Sequence, residues 1–555
     1  MNPSLPTEDA LVIAAPDAEP DSIFWDRQCE LLVVGVGAAG ATTALTAHAL
    51  GVDVLAVDRF GHGGASASSG GIVYAGGTRQ QQASGIEDSP EEMFRYLKGE
   101  TGDAVADDTL KRFCEESAGT LDWLESLGAE YRGDAHPPKT SYPKDGVYLY
   151  YSGNETIRPF SETATPAPRG HRTVDKGLSG RRLYAVLDKA MSDRHIPFLK
   201  QAAVRRLITD SHGAVIGAEV WQMPTAAAAG KWQRRLTRLV EPFNYMSPGL
   251  ADWSRRRALA LELKNAKPLR VRATRGVALT TGGFGYNRDM LSEHAPGYVK
   301  NLRLGPGSCD GSGIRLGQSV GAATRRMNKI SAWRFYNPPN KLPRGIVVNQ
   351  QGQRFCNEGA YGARIGVLIA EEQNDKAWLI IDRKLRKAAL KEALFGGLWL
   401  FQWLPTLFVM LFARRAATPA KLAQKLGISV EPFCATVHRY NQAAQGEIED
   451  ELGKEADKMA ALDEAPYFAI DISSHNPSFP APVITLGGLQ IDEHTGAVLH
   501  QNGKAIPGLY AAGRAAVGVA SNFYVSGLSL ADCFFSGRRI GNTLGQQVSE
   551  LKKSA

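Results

Sequence analysis

The sequence predicts an α/β protein with a largely parallel sheet and an α+β insertion. Three observations carry that reading. A strand, a glycine turn, a helix and a second strand follow one another over residues 29–59. Two more apolar strands end in small residues, VALTTGG at 277–283 and GLYAAG at 508–513. A long mixed stretch lies between those two strands, so one sheet is assembled from both ends of the chain.

Composition excludes several alternatives. The 555 residues are 43% hydrophobic, 8% aromatic and 22% charged, which is ordinary globular usage and neither disordered nor fibrous. The length suits about two to four domain-sized units. The 58 glycines follow no collagen-like period and so mark turns and close backbone approaches. None of the six cysteines forms a CxxC pair, which argues for buried free thiols in a reducing compartment and against a disulfide framework or zinc. Residues 1–22 hold five acids and no Lys or Arg, the composition of a disordered tail rather than a secretory leader.

The N-terminal unit is the first chemical motif. Leu31–Val34 reads as a buried parallel strand. Gly35, Gly37 and Gly40 then form GxGxxG, Ala41–Leu50 reads as a helix stopped by Gly51, and Val52–Val57 is a strand ending at Asp58. The first glycine permits the turn, the second lets the backbone approach a pyrophosphate on the helix N-terminus, and the third lets helix pack on strand. Asp58 is placed to accept hydrogen bonds from a ribose diol. The loop that follows, GGASASSGG at 63–71, offers backbone and hydroxyl donors to a large anionic cofactor lying along the sheet. No second GxGxxG lies on a clear βαβ unit, so no separate NAD(P)H domain is expected.

Seven ordered stretches then resemble the flavoprotein family of fumarate reductase and the 3-ketosteroid dehydrogenases: VVGVGAAG, GGASASSGG, TTGGFGYN, DGSGIRLG, RFCNE, TLGGLQID, and IPGLYAAGR with SGLSLADCFFSGRRIG. The resemblance covers about residues 28–545. It implies FAD, held in a Rossmann-like domain built from residues 23–296 and 481–555, with a catalytic domain inserted at 297–480. The cofactor residues it implies are Gly35, Gly37, Ala38, Ala39, Gly40, Asp58, Arg59, Gly64, Ala65, Ser66, Ser69, Gly70 and Gly71. Thr281, Gly282, Gly283, Asp310, Gly513, Arg514, Ser529 and Leu530 complete the set, and no metal is expected.

Three positions choose a branch of that family. Where the dicarboxylate reductases resemble one another in a His, a proton-donating Arg and a second Arg, this chain has Ile484, Gly362 (beside Tyr361) and Tyr524. An apolar or phenolic site would leave a dicarboxylate desolvated and unpaired. Tyr524, Ser526 and Tyr361 instead resemble the hydroxyl set of the 3-ketosteroid Δ4-dehydrogenases. In that reading Tyr524, with a backbone N–H near Gly527, polarises the C3 carbonyl. Ser526 with Tyr361 takes the C4 proton, and Ile484 and Gly527 contact substrate. The hydride leaves C5 for the flavin N5. The Δ1-dehydrogenase pattern has a Gly four residues after the Tyr, where this chain has Leu528. Δ1 chemistry is the alternative, followed by reduction of an unsaturated acid or enoate. Tyr336 competes with Tyr361, and His171 is read as structural.

The charge is localised. The net +7 divides into +5 at 225–264, +7 at 383–421 and −5 elsewhere. The second patch brackets the uncharged stretch 393–413, ALFGGLWLFQWLPTLFVMLFA. Pro405 is expected to break it into helices of about 12 and 7 residues. Both flanks are basic, and the chain must return to one catalytic domain. That favours a helix pair lying in one leaflet on the cytoplasmic face of the cell membrane over a single crossing. The first patch, an insertion with interleaved aromatics between strands near Gly217–Trp221 and Leu269–Arg272, is read as a candidate for the same surface. The partners expected are a lipophilic 3-ketosteroid, an electron acceptor of the quinone class and an anionic membrane, and no nucleic acid.

Overall fold

The computed structural model describes residues 12–13, 23–136, 139–476 and 479–554. Its core is a mostly parallel sheet. Strand Arg27–Val34 lies between Val54–Asp58 and the long strand Lys267–Leu279, parallel to both. Phe198–Lys200 extends one side, and Leu509–Ala511 of strand Ala505–Ala511 pairs in parallel with Val277–Leu279 on the other. The strands are apolar throughout because both faces are covered; Leu31, Leu32 and Val33 have no exposure at all. Lys267–Leu279 joins the antiparallel and parallel parts of this sheet. Lys267–Arg272 pairs antiparallel with Val215–Gln222, while Val271–Leu279 pairs in parallel with Arg27–Val34 across a bulge between Ala273 and Gly276.

The two ends of the chain meet at a helix seam. Helix Ala38–Ala49 packs along the C-terminal helix Leu528–Ser554. A Cβ on Gly537 would lie 2.6 Å from the Ala39 carbonyl oxygen, and one on Gly541 would lie 2.6 Å from the Thr46 Cβ. Glycines here therefore let the helix backbones approach directly.

The middle of the chain forms its own antiparallel sheet, in the order Ile346–Val348, Trp378–Ile381, Tyr467–Asp471, Arg414–Ala416. The chain is thus α/β with an inserted antiparallel layer, as the sequence implied. The expected meander insertion is also present: Val215–Gln222 and Lys267–Leu279 pair in register, and helices Ala228–Met246 and Pro248–Asn265 rise between them.

Two expectations change. The apolar stretch breaks at Gly396–Gly397 and not at Pro405. Helix Arg383–Phe395 ends there, Gly397 adopts φ +72°, and helix Leu400–Leu411 carries Pro405 inside it. A positive φ costs glycine nothing, whereas proline forfeits one backbone hydrogen bond yet keeps a helical φ. Within the expected N-terminal tail, Val12–Ile13 pair in parallel with Ile208–Thr209; the rest of 1–22 lies outside the described residues. All six cysteines are free thiols; Cys29, Cys114, Cys309 and Cys356 are buried as expected, and Cys434 and Cys533 are half-buried.

A buried ionic cluster ties the inserted layer together. Glu358 accepts two hydrogen bonds from Arg354, each 2.9 Å, one from Lys454 at 3.0 Å and one from the Val347 amide at 2.9 Å. Arg354 also pairs with Asp450. Burial alone would push the Glu358 carboxyl up, but Lys454 and Arg354 together hold it below the ordinary range. Its contribution is therefore complete above the unfolded carboxyl pKa of about 4.3 and fades as pH falls below that. Glu358→Gln should lower unfolding free energy at pH 7 by about 3–5 kcal/mol. Urea midpoints should show the gap between variant and wild type narrowing toward pH 3; a pH-independent gap would contradict this account.

Candidate active site

The glycine turn builds a cleft at the carboxyl ends of the parallel strands, where open α/β sheets bind ligands. Gly35 takes φ +92°, and a Cβ there would lie 2.8 Å from the Thr281 Cα. A Cβ on Gly40 would lie 2.0 Å from the Gly35 carbonyl oxygen, so helix and turn are in direct contact. Gly37 is more open: its Cβ would meet only the Ser66 hydroxyl, at 3.3 Å, and the Gly63 carbonyl, at 3.6 Å. The Ser66 hydroxyl accepts from the Ala38 amide at 2.9 Å. Asp58 accepts from the amides of Val36 and Phe60, both at 2.8 Å, which fixes its carboxylate at the end of its strand.

Two adjoining cavities occupy this cleft. The narrower is lined by Gly35, Gly37, Ala38, Ala39, Ala65, Ser66, Thr281, Gly282, Gly513 and Arg514. The wider, about 1370 Å³, begins at Asp58, Arg59 and Gly64 and includes Asp310. Arg59 donates to Asp310 at 2.7 Å and to Glu262 at 3.0 Å, so these expected cofactor residues hold one another at the rim. Ser69, Gly70 and Gly71 serve the loop itself. Ser69 bonds the Ser66 carbonyl, and Gly71 takes φ +66° against Ser179. Gly283 packs on Thr485, where a Cβ would lie 2.2 Å from its hydroxyl oxygen. Ser529 and Leu530 form the first turn of the C-terminal helix. The cradle, the acid beyond it and the long cleft suit a dinucleotide.

The loop before the C-terminal helix carries the expected hydroxyl groups. The ring centres of Tyr524 and Tyr361 stand 6.4 Å apart and nearly parallel. Trp333 packs on Tyr524 at 5.0 Å and Phe335 on Tyr361 at 5.6 Å. Ser526 is anchored through its backbone to Ser152, at 3.3 and 2.9 Å. Gly527 takes φ +91°, and a Cβ there would lie 2.8 Å from Ile72. Ile484 is buried in the strand Pro482–Thr485, in register with Ser331, two residues before Trp333. Tyr150 joins this set unannounced by the sequence: its hydroxyl is 3.3 Å from the Ser526 Oγ. It stands at the end of a two-residue strand, and no motif marks it.

These phenols are protonated donors at neutral pH. Burial pushes Tyr524 up to about 12 against the pull of Arg514. Burial raises Tyr150 and Tyr361 further, while the Ser526 hydroxyl draws each of them down. The Lys139 ammonium lies 5.9 Å from the Tyr361 ring centre, and burial lowers it to about 7. Such a set can donate to an oxygen at Tyr524 and pass a proton along a serine–tyrosine relay. Tyr336 is not part of it: its hydroxyl donates to the Glu358 carbonyl at 3.0 Å. His171 is structural, as read. Its two ring nitrogens bond Thr78 and the Arg169 carbonyl, both at 2.9 Å, and burial lowers it to about 4.

Comparisons with known proteins agree with this geometry. The FAD binding domain family matches residues 30–530. The 3-oxo-5-alpha-steroid 4-dehydrogenase of Comamonas testosteroni is 40% identical over 89% of this chain and 94% of its own. The 3-oxosteroid 1-dehydrogenase of Mycobacterium tuberculosis is 26% identical over 90% of this chain and 94% of its own. A crystal structure of 3-ketosteroid-delta4-(5alpha)-dehydrogenase from Rhodococcus jostii, in complex with 4-androstene-3,17-dione, superposes with a TM-score of 0.79. That protein is 29% identical over 94% of this chain and 98% of its own. The glycine cradle, the acid at the end of its second strand and the match across nearly the whole length place this chain in the FAD binding domain family, among flavoproteins that include the 3-ketosteroid dehydrogenases.

Proposed function

We propose that this flavoprotein dehydrogenates a 3-ketosteroid at C4–C5. The observation that carries the reading is the cage of neutral hydroxyls, Tyr524, Ser526 and Tyr361, walled by Trp333 and Phe335. The 40% identity to a 4-dehydrogenase supports the position of the double bond. The aromatic walls suit a flat, apolar ring system, and the phenols suit a ketone better than a carboxylate. Tyr524 donates to the C3 oxygen and stabilises the developing enolate. Ser526 accepts the C4 proton as its own hydroxyl proton passes to Tyr361 or Tyr150, and the phenolic proton displaced there passes on to the neutral amine of Lys139, 5.9 Å from the Tyr361 ring centre and lowered to about 7 by burial, so the C4–H electron pair becomes the new π bond. FAD, when bound, supplies the acceptor for the hydride leaving C5. Gly35–Gly40, Asp58, Ser66 and Arg514 would hold it. A lipid-soluble quinone is the proposed class of final electron acceptor.

The reading predicts that an anaerobic 3-ketosteroid saturated at C4–C5 bleaches the flavin and yields a C4–C5 double bond. A C1–C2 product would point to the Δ1 alternative, and no bleaching would defeat the proposal. Tyr524→Phe should slow bleaching by about 10²-fold or more. Tyr150→Phe should slow it less, because Tyr361 remains as a second phenol beside Tyr524; near-normal rates in Tyr524→Phe would remove that residue from the mechanism.

We also infer that the enzyme works on the cytoplasmic face of an anionic membrane. Phe395, Leu400, Leu411 and Phe412 are 81%, 62%, 74% and 67% exposed, an apolar ridge that water disfavours. Exposed Lys384, Lys387, Lys391, Arg414 and Arg415 flank it. Among the described residues, no helix is long and apolar enough to cross a bilayer. The ridge adjoins the site: Trp399 donates to the Pro143 carbonyl at 3.2 Å and packs on the cluster containing Tyr142 and Tyr150. The protein should float with vesicles containing phosphatidylglycerol. A Phe395→Asp, Phe412→Asp double variant should stay in the soluble fraction. Wild type that does not float at low salt would overturn this part.

A further inference from the structure

The basic insertion at 225–264 has a role that its charge alone does not reveal. Gln222 and Lys267 pair across the antiparallel ladder, so a tight two-residue turn would close that hairpin. The chain instead raises helices Ala228–Met246 and Pro248–Asn265, and these fold down onto the cofactor domain. Glu262 bonds both Arg59 and Arg205. Glu241 accepts from the Ser68 hydroxyl at 2.6 Å. Asn244 donates to the Arg303 carbonyl at 2.6 Å, and Asp252 pairs with Arg303 at 2.6 Å. The helices are thereby fixed to three segments of the cleft: the loop after Asp58, the strand Ala202–Thr209 and the stretch 303–310.

The space left between them is the cavity of about 1370 Å³. Asp58, Arg59 and Asp310 line one wall, and Arg238, Val240 and Arg255 line the other. Arg255 is the unusual member. Its Nε is buried with no hydrogen-bond partner among the described residues, and a Cβ on Gly307 would lie 3.5 Å from its Cδ. Burial is the largest of the effects that lower it; Asp310 and Asp252 attract it, and Arg303 and Arg59 repel it from the same neighbourhood. The carboxylates that attract it are already engaged, Asp310 with Arg59 and Asp252 with Arg303, so the Arg255 guanidinium keeps donor capacity for an anion that enters the cavity. The cavity adjoins the glycine turn where a diphosphate would sit on the helix N-terminus, and Asp58 where a ribose would bind.

We propose that the helical insertion is the second wall of the cofactor cleft. It closes over the adenosine diphosphate half of FAD, with Arg255 as its cation, and sets how long the flavin stays bound. The outer face of the same helices carries Trp232 and Trp253, exposed and stacked with Arg235 and Arg257; the inner face belongs to the cofactor.

FAD release tests this directly. Holoenzyme is diluted and the rise of free-flavin fluorescence is followed, at low and high salt. Three variants are compared with wild type: Arg255→Ala, Arg255→Lys, and a chain in which Asn-Gly joins Gln222 to Lys267. Arg255→Ala should release FAD about tenfold faster, the usual weight of one charge-assisted hydrogen bond. Its release should respond less to salt, and Arg255→Lys should recover most of the retention. The turn variant should release faster still. Circular dichroism identifies a turn variant that fails to fold, and the point variants then decide. Release from Arg255→Ala within twofold of wild type overturns the role of Arg255. A folded turn variant that retains FAD as wild type does overturns the wall itself.

Discussion

The close contact of two helices is the constraint on which the rest of the structure depends. Helix Ala38–Ala49 and the C-terminal helix begin almost 500 residues apart in the chain and touch through Gly537 and Gly541. Side chains there would force the helices apart. The contact fixes the C-terminal helix over the parallel sheet, and the loop that enters this helix carries Tyr524, Ser526 and Gly527. The proposed proton acceptor and the cofactor cradle are thus set by one packing decision. Gly513, at the end of the last core strand, extends it. A Cβ there would lie 2.9 Å from Ala39 and 3.1 Å from the Cys533 sulfur.

The inserted antiparallel layer brings Tyr361 to the proposed site, and charge holds it in place. Arg354, Glu358, Lys454 and Asp450 are almost fully buried, and each has its partners. Buried charges are tolerated only when they are paired and hydrogen-bonded. The cluster fixes the turn that ends in Tyr361, three residues beyond Glu358. From the other side, Asn154 accepts from the Tyr361 amide at 2.6 Å. The phenol is therefore positioned by two separate networks, and its own ring is left to face Tyr524.

The two basic patches turn out to be unlike each other. Both were legible as local excesses of Lys and Arg, and both contain aromatics. In the 383–421 patch the apolar side chains point outward, so cations and exposed rings share one surface. In the 225–264 patch part of the charge turns inward. Glu262 and Arg255 face Arg59, Asp310 and the cofactor cavity. Composition records how much charge a segment carries, and only its orientation decides whether lipid, solvent or a ligand receives it.

Much of this protein is local in origin and therefore readable from the chain. The GxGxxG turn, the acid ending its second strand and the apolar strands before each glycine follow from backbone sterics and short-range periodicity. They determine the fold class and the cofactor cleft. The replacement of charged positions by Ile484, Tyr524 and Gly362 determines what kind of substrate the site disfavours, because desolvation acts on residue type. Tyr150 was invisible, since its position next to Ser526 depends on pairing between segments far apart in sequence. The break at Gly396–Gly397 was misplaced because a proline costs one hydrogen bond while two glycines leave a helix free to end. Which face of the 225–264 helices meets the cleft depended on ion pairs to Arg59, Arg205 and Arg303. Such long-range pairs form only once the sheet has brought their segments together, and no local pattern encodes them.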